Sequence, residues 1–376
     1  MTTSSVPASE STPAVDHDMD LGIFCLNVSG GLPITTAADQ SLSWERNLAL
    51  GQAADAAGWD FLLPLGRWRG AGGATNYHGQ QFEVLTWAAG MAAATKRIRV
   101  FSTIQVPLVH PLMGAKQAAT IDHISGGRFG LNLVSGWNEA EFGMFGIAQM
   151  AHDDRYAATD EWLTIAERLW TESDPVDFEG KHYTIRNGYL EPKPLQKPRP
   201  PIVSAGASDA GLDFAMRRAD YLFQCAPDME RLREVMAKVQ AKGAEVGSTT
   251  RVLTHASVVV RDTEAEAKRY FEWWVDEMGD FEAAANIRDQ LISGGSGSLP
   301  PDVVQALTRG LVIGWGAKPL IGTPEQVVDQ LLDLHKLGIS GIALGWVDCG
   351  DGFAQFNEQV VPLMVEAGLR QDVQAS

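Results

Sequence analysis

Short apolar runs alternate with helical patterns along most of the chain from residue 21 onward. The runs are apolar on both faces, which is typical of buried parallel strands covered by helices, because a half-solvated strand would alternate apolar and polar residues. Strands that alternate with helices indicate repeated βα units. The predicted strands are 21–28, 60–66, 98–106, 128–136, 201–206, 221–226, 251–260 and 341–347.

Helical patterns occupy the stretches between these strands. The first has Ser43 as a predicted N-cap and Gly58 as its end. The predicted helices are 43–58, 81–95, 110–125, 158–171, 208–219, 228–247, 262–279, 323–338 and 355–368. Eight strands with helices between them favour a closed barrel over an open doubly wound sheet. We therefore predict an α/β fold, a (β/α)8 TIM barrel, as a single domain over residues 21–370.

Two insertions and a tail interrupt this pattern. Residues 174–200 predict a small hairpin or extended excursion that ends in a Pro-rich connector. Residues 280–316 contain the run SGGSGSLPP and exceed an ordinary loop, so we interpret them either as a mobile lid over the barrel mouth or as a disordered spacer. Residues 1–20 are polar and acidic, which predicts a disordered N-terminal tail rather than a secretion signal.

Charge and composition exclude several classes of partner. The chain has 47 acidic and 30 basic residues and a formal charge of -17, so its field repels nucleic acid and anionic membranes. Its apolar runs stay well below the roughly 18 residues that span a bilayer. The three cysteines have no metal-ligand spacing, so we expect no metal site. The sequence predicts a cytoplasmic protein.

The active site of a parallel barrel lies at the carboxyl ends of its strands. These ends carry Leu, Thr, Asn, Trp and Gly, without an acid pair or a nucleophile triad, which favours chemistry performed by a bound cofactor. The turn at 203–214, with Ser208 as N-cap, can hold a phosphate, and Arg155 and Tyr156 can add a cation and a hydroxyl. The alternatives are an ordinary capped turn and a surface arginine.

Several segments resemble the bacterial luciferase-like, FMNH2-dependent monooxygenases, especially the pyrimidine-ring-opening and the dimethylsulfone and alkanesulfonate branches. They are NVSGGL (27–32), RWRGAGG (67–73), ATIDHISGGRFGLNLVSGW (119–137), HDDRY (152–156), SAGASDAG (204–211) and LIGTPEQV (320–327). The resemblance implies a TIM barrel that uses reduced FMN and O2. It places Gly66, Arg67, Asn132 and Glu141 at the flavin ring system and Arg155, Tyr156 and Ser208 at its phosphate.

The resemblance also implies a dioxygen pocket beside the flavin, lined by Leu63, Thr103, Asn132 and Trp137, and hence a flavin N5-peroxide, with the C4a-peroxide as alternative. Leu63 and Trp137 suit the exclusion of water, while Thr103 and Asn132 are hydrogen-bond donors. Without the resemblance, strand-end packing and backbone hydrogen bonding explain the same residues.

The implied function is a two-component monooxygenase supplied by a separate NAD(P)H-dependent flavin reductase, because no nicotinamide-binding glycine motif is present. The expected reaction is ring opening of a small N-heterocycle, and the alternative is C–S cleavage of a sulfone or alkanesulfonate. Two further alternatives are a deazaflavin F420-dependent oxidoreductase and a flavin-binding protein without turnover. Trp68, His78 and Trp346 are candidate substrate contacts near the mouth, and we expect a homodimer or homotetramer.

Overall fold

The computed structural model describes residues 18–39, 41–206, 208–292 and 300–371, without the side chain of residue 153. The strands are β1 (Asp20–Phe24), β2 (Phe61–Leu63), β3 (Arg99–Gln105), β4 (Phe129–Val134), β5 (Val176–Glu179), β6 (Thr184–Gly188), β7 (Ile202–Ser204), β8 (Tyr221–Phe223), β9 (Arg251–Val260), β10 (Lys318–Gly322) and β11 (Ile339–Gly345).

The helices are α1 (Trp44–Ala56), α2 (Val84–Ala94), α3 (Pro111–Ser125), α4 (Glu139–Met144), α5 (His152–Thr171), α6 (Asp209–Arg218), α7 (Met229–Val246), α8 (Glu264–Glu272), α9 (Phe281–Ile292), α10 (Pro301–Gly314), α11 (Pro324–Lys336), α12 (Cys349–Gln359) and α13 (Val361–Glu366). A π-helical segment, Trp273–Glu277, extends α8. Ser43 caps α1 as predicted, because its side chain accepts a hydrogen bond from the Arg46 N–H.

Eight parallel strands close into a barrel in the order β1-β2-β3-β4-β7-β8-β9-β11, and β11 pairs again with β1. The predicted (β/α)8 TIM barrel is confirmed. Several predicted strands extended too far at their carboxyl ends. β1, for example, ends at Phe24, four residues before the predicted limit, because the next residue, Cys25, has a φ of 62° and a left-handed residue cannot continue a strand.

The core has two layers because each barrel strand is buried on both faces. Inside the barrel, aromatic and aliphatic side chains from successive strands pack together, among them Phe24, Leu63, Phe101 and Phe223. Outside it, the helices bury their apolar faces against the strands in one large cluster. The barrel therefore holds its carboxyl strand ends rigidly.

Each insertion has regular structure in the described residues. Strands β5 and β6 form the predicted antiparallel hairpin within 174–200. In the 280–316 insertion, the described residues form the helices α9 and α10, while most of the glycine-serine run, residues 293–299, lies outside the described residues. A mobile lid over the barrel mouth stays a prediction. Asp280 directly precedes α9, and its carboxylate accepts hydrogen bonds from the Thr75 N–H and hydroxyl, both at 2.7 Å. These bonds attach the start of α9 to the chain that follows the RWRGAGG segment.

Strand β10 was not predicted. It pairs in parallel with the second half of β9, from Lys318 opposite Ala256 to Gly322 opposite Val260. Because β11 occupies one edge of β9, β8 and β10 share the other edge. The chain that leaves α10 is thereby tied directly to the barrel wall.

The predicted tail at 1–20 lies outside the described residues as far as residue 17. Met19 is buried, its N–H donates to the Leu369 carbonyl at 2.9 Å, and β1 already begins at Asp20. Among the described helices, none is both long and apolar enough to cross a membrane.

Candidate active site

Thr103 and Asn132 lie opposite each other at the ends of β3 and β4. The Thr103 hydroxyl donates to the Pro64 carbonyl at 2.5 Å and accepts from Asn132 Nδ2 at 3.0 Å. A hydroxyl has one proton, so this chain fixes the orientation of the Asn132 amide. Within the part of the chain that the structure describes, the buried Asn132 Oδ1 has no hydrogen-bond partner. Leu63 ends β2 and is also buried, and the dioxygen recess that we expect among these side chains stays a prediction. The Thr103 proton is directed to the protein backbone.

Glu141 is the fully buried centre of a second group of contacts. Its carboxylate accepts from the Trp68 N–H at 3.1 Å, the Arg69 N–H at 3.3 Å and Gln105 Nε2 at 2.6 Å. The Arg67 guanidinium lies 3.6 Å from the same carboxylate. A buried carboxylate with this many donors holds the loop after β2 in one conformation. The sequence analysis did not identify Gln105.

The guanidinium of Arg67 lies between two indole rings. Its central carbon is 4.6 Å from the ring centroids of both Trp137 and Trp315. Trp315 also donates from Nε1 to the Tyr77 hydroxyl at 3.0 Å. Arg67, Trp137, Trp315 and Tyr77 thus form a continuous aromatic group around one cation, which we call the tryptophan cluster. Burial lowers the pKa of Arg67 and the nearby Glu141 carboxylate opposes that shift.

Trp315 comes from the 280–316 insertion, and its backbone is unusual. Gly314, Trp315 and Gly316 have φ values of 131°, 57° and 74°. A left-handed tryptophan is strained and persists only where surrounding contacts impose it. Two side chains of β9 hold the backbone just before Trp315 by hydrogen bonds. Ser257 Oγ donates to the Ile313 carbonyl at 2.5 Å, and His255 Nε2 bonds the Gly314 carbonyl at 2.9 Å. No residue pattern at 280–316 indicated this arrangement.

His78 is buried beside the tryptophan cluster, and it lines a small cavity together with Arg69 and Gln290. Its ring stacks on Tyr77 with centroids 3.6 Å apart, and Nε2 bonds the Gly31 carbonyl at 2.8 Å. Desolvation by burial, with a contribution from the Arg67 charge, lowers the pKa of His78 to about 3. A neutral, packed His78 supports the wall of the site, and the substrate contact that we predicted for it stays a prediction.

The other two candidate substrate residues occupy different environments. Trp68 is 38 % exposed and packs edge-to-face on Phe145, with centroids 4.9 Å apart. Trp346 is buried in the outer layer, where it contacts Trp59 and Phe356 at centroid distances of 6.1 and 6.0 Å. The structure therefore leaves Trp68 at the mouth and places Trp346 away from it.

The residues expected at the flavin phosphate, which we call the phosphate end, lie after β7 and at the start of α5. Ser208 caps α6 as predicted, because its hydroxyl accepts from the Gly211 N–H at 3.2 Å. Tyr156 is adjacent: a Cβ on Gly211 would lie 2.5 Å from the Tyr156 hydroxyl. Arg155 donates from Nη1 to the Gly136 carbonyl, and its Nε is buried without a partner. The sequence predicts that this helix begins at residue 158, after Arg155 and Tyr156. In the structure α5 begins at His152, so both residues lie in its first turns.

These residues fit FMN. A helix N-terminus, a hydroxyl and a guanidinium with an unused donor suit the phosphate. Asn132 Oδ1 can accept a hydrogen bond from a ring N–H of the flavin. Gly206 and Gly211 leave no room for a side chain between β7 and α6, since a Cβ on either glycine would lie within 2.7 Å of the Cα of the other. Both ends of an FMN molecule would thus find partners.

A cavity of about 550 Å³ opens at the barrel mouth, between the RWRGAGG loop, α4 and α9. Its lining is rich in side-chain amides and contains one residue of each charge sign. The lining side chains that bear polar groups are Arg69, Asn76, Asn138, Asn286, Asp289 and Gln290. It is suited to admit a polar molecule of low net charge.

Comparison with known proteins identifies the family. The family model described as luciferase-like monooxygenase matches residues 19–341, and the chain belongs to this family. It is 32 % identical over 346 residues to the FMNH2-dependent dimethylsulfone monooxygenase of Pseudomonas putida, covering 90 % of this chain and 93 % of that protein. It is 32 % identical over 361 residues to the pyrimidine monooxygenase RutA of Variovorax paradoxus, covering 92 % and 94 %.

The solved structures agree on the fold. A riboflavin lyase with modified FMN and riboflavin superposes with a TM-score of 0.84 at 21 % identity, covering 95 % of this chain and 93 % of that one. The comparisons confirm the resemblance drawn from the sequence, and with it an FMN-dependent monooxygenase that uses reduced FMN and dioxygen. The individual site residues stay predictions.

Proposed function

We propose that this FMN-dependent monooxygenase opens a small, uncharged, planar N-heterocycle by oxygenation and C–N cleavage. The reduced FMN would come from a separate NAD(P)H-dependent flavin reductase. One atom of dioxygen would enter the substrate and the other would leave as water, with two electrons supplied by the reduced flavin. Both the dimethylsulfone and the pyrimidine monooxygenase relatives are compatible with the enzyme class, so the substrate must be argued from the site.

The pairing of Arg67 with Glu141 is the observation that carries the proposal. Arg67 is a buried cation over the ring of Trp137, and the Glu141 carboxylate at 3.6 Å neutralises it. A sulfonate is a full anion whose burial requires an uncompensated cation. A recess whose cation is already paired favours a neutral substrate, which argues against alkanesulfonates.

The surfaces around that pair favour a flat ring. Trp137 and Trp315 present indole rings to the same guanidinium, and aromatic faces suit planar π systems. The mouth cavity adds amide groups from Asn76, Asn138 and Asn286, which can both donate to and accept from a heterocyclic amide edge.

The residues of the chain then divide their tasks. Arg155, Tyr156 and Ser208 would hold the phosphate, and Asn132 and Glu141 would orient the ring system. Leu63 and Trp137 would exclude water from the recess, since activated oxygen is lost when water reaches it. When bound, reduced FMN supplies the electrons that activate dioxygen.

The test is aerobic incubation with FMN, NADH, a generic flavin reductase and 18O2, using N-heterocycles, sulfones and alkanesulfonates as substrates. Mass spectrometry should find one labelled oxygen in a ring-opened heterocycle and none in alkanesulfonate products. Labelled product from a sulfone alone would replace the heterocycle with the C–S cleavage alternative. Rapid NADH oxidation by the purified chain without the reductase would contradict the two-component arrangement.

A further inference from the structure

Gln105 ends β3 and carries an oriented, unused hydrogen-bond acceptor. Its amide nitrogen donates to Glu141 Oε2 at 2.6 Å and to the Gly66 carbonyl at 3.2 Å. These two bonds use both amide protons. The carbonyl oxygen Oε1 is buried and has no hydrogen-bond partner among the described residues, and Gln105 is only 8 % exposed.

The orientation of this amide is not interchangeable. A reversed amide would place the Gln105 oxygen against the Glu141 carboxylate and the Gly66 carbonyl, which are both acceptors. Most buried acceptors in folded proteins have a hydrogen-bond partner, because leaving one unsatisfied destabilises the fold, so an acceptor held in this state calls for a functional explanation.

Gln105 also lies among the residues expected to meet the flavin and the substrate. It is two residues beyond Thr103 on β3, so both side chains leave the strand on the same face. Its donors fix Gly66 and Glu141, and Glu141 in turn faces Arg67 of the tryptophan cluster. A second buried and unpartnered acceptor, Asn132 Oδ1, lies on the neighbouring strand. The two adjacent strands therefore each present an amide oxygen that requires a donor.

We propose that Gln105 is a specificity-determining residue whose side-chain carbonyl accepts a hydrogen bond from a ring N–H of a bound ligand. This inference rests on the proposed function, because a heterocyclic lactam has such an N–H whereas a dialkyl sulfone has none. A ring N–H is present both in an N-heterocyclic substrate and in the pyrimidine portion of FMN. The shared chemistry is a planar amide N–H beside a carbonyl.

Two ligand–protein cycles test the proposal. The first measures anaerobic binding of FMN and of N3-methyl-FMN by calorimetry, and the second measures binding of uracil and its N-methyl derivatives to the enzyme with FMN bound. Each is performed on the wild type, on Gln105→Met and on Gln105→Asn. Gln330→Met is the matched control. Gln330 lies on the outer helix α11, and its side-chain amide also donates to two backbone carbonyls, those of Ile321 and Gln326.

In wild type and in the control variant, methylation of the recognised N–H should weaken binding by about tenfold or more, as expected for a lost hydrogen bond and a steric clash. In Gln105→Met this difference should disappear, and in Gln105→Asn it should shrink. Loss of discrimination in the FMN cycle identifies the flavin as donor, and loss in the uracil cycle identifies the substrate.

If both variants keep the full discrimination in both cycles, Gln105 Oε1 has only a water partner and the proposal is overturned. A failure of the proposed function has a different result. Uracil would then not bind even to the wild type, while the FMN cycle would still decide the role of Gln105.

Discussion

The phosphate end and the mouth end of the site are built in opposite ways. At the phosphate end, the residues on either side of position 207 provide the N-cap Ser208 and two glycines, Gly206 and Gly211, and the first turns of α5 add a guanidinium and a hydroxyl. At the mouth end, the side chains come from four separate parts of the chain: Arg67 follows β2, Gln105 ends β3, Trp137 and Glu141 follow β4, and Trp315 follows α10. A single turn can bind a phosphate, whereas selective recognition of one heterocyclic ring requires side chains from several parts of the chain.

The two ends also differ in what they bury. Glu141 is fully buried and Arg67 nearly so, whereas Arg155, Tyr156 and Ser208 are partly exposed. Buried charges are costly when one partner is removed, because the remaining charge has no solvent to stabilise it. Substitutions at the mouth should therefore affect folding, and substitutions at the phosphate end should affect cofactor affinity.

Removal of the Glu141 carboxylate should have the largest effect. Glu141→Ala leaves Arg67 unpaired and takes the acceptor from three donors, so we expect a loss of about 3–5 kcal/mol in the free energy of unfolding. Urea denaturation measures it. Glu139→Ala is the control, since Glu139 is an exposed residue of the same helix. A loss below about 1 kcal/mol would show that the mouth network does not stabilise the fold.

Arg155→Ala should act on the cofactor instead. The loss of a charged hydrogen bond should weaken FMN binding by about 1.5–3 kcal/mol, with little change in the free energy of unfolding. Fluorescence titration with FMN measures the affinity. Arg217→Ala is the control, because Arg217 is exposed on α6 and pairs with Asp213. Unchanged FMN affinity would remove Arg155 from the phosphate end.

The same contrast explains what the sequence could predict. The eight strands follow from runs that are apolar on both faces, and Ser208 follows from a capping rule that needs only its neighbours in the chain. Gln105 could have been found, because it follows Thr103 on the same strand face, but a glutamine at a strand end has no distinctive pattern. Its role depends on Glu141, 36 residues away.

Trp315 could not have been predicted from local patterns. Its position depends on three consecutive positive φ values and on the pairing of β10 with β9, which together return the chain from α10 to the barrel. The glycine-serine run suggested irregular structure and concealed the helices on both sides of it. Similarly, Trp346 follows a strand as an active-site residue would, but its ring turns outward onto Trp59.

The histidine beside the tryptophan cluster should make stability depend on pH. Burial lowers the pKa of His78 to about 3, whereas an unfolded histidine titrates near 6.5, so below that pH the unfolded chain binds a proton that the folded chain does not. The contribution of His78 to the free energy of unfolding should be fully present above pH 6.5. It should fall by about 2 kcal/mol between pH 7 and pH 5.

The variant that isolates this effect is His78→Asn, because asparagine tolerates the left-handed conformation of residue 78, with its φ of 57°. Urea denaturation at pH 7 and pH 5 should show a smaller difference in the variant than in wild type. His255, whose pKa burial lowers to about 4, contributes in the same direction in both proteins and cancels in the comparison. An equal pH dependence would show that His78 titrates normally.

The smallest effect should come from Trp315, which the 280–316 insertion contributes to the tryptophan cluster. Trp315→Phe keeps an aromatic face beside Arg67 but loses the hydrogen bond to Tyr77, whereas Trp315→Leu loses both. A ring face beside a partly desolvated cation contributes about 1 kcal/mol, so Trp315→Leu should raise KM by roughly fivefold, and Trp315→Phe by less. FMN affinity should change little, because the phosphate end is intact.

Steady-state kinetics with the substrate found in the 18O2 assay measure the change, with Trp273→Leu as the control on the outer π-helical segment. If instead FMN affinity fell and KM stayed constant, Trp315 would belong to the flavin site, and selectivity for the ring would arise from the barrel strands alone.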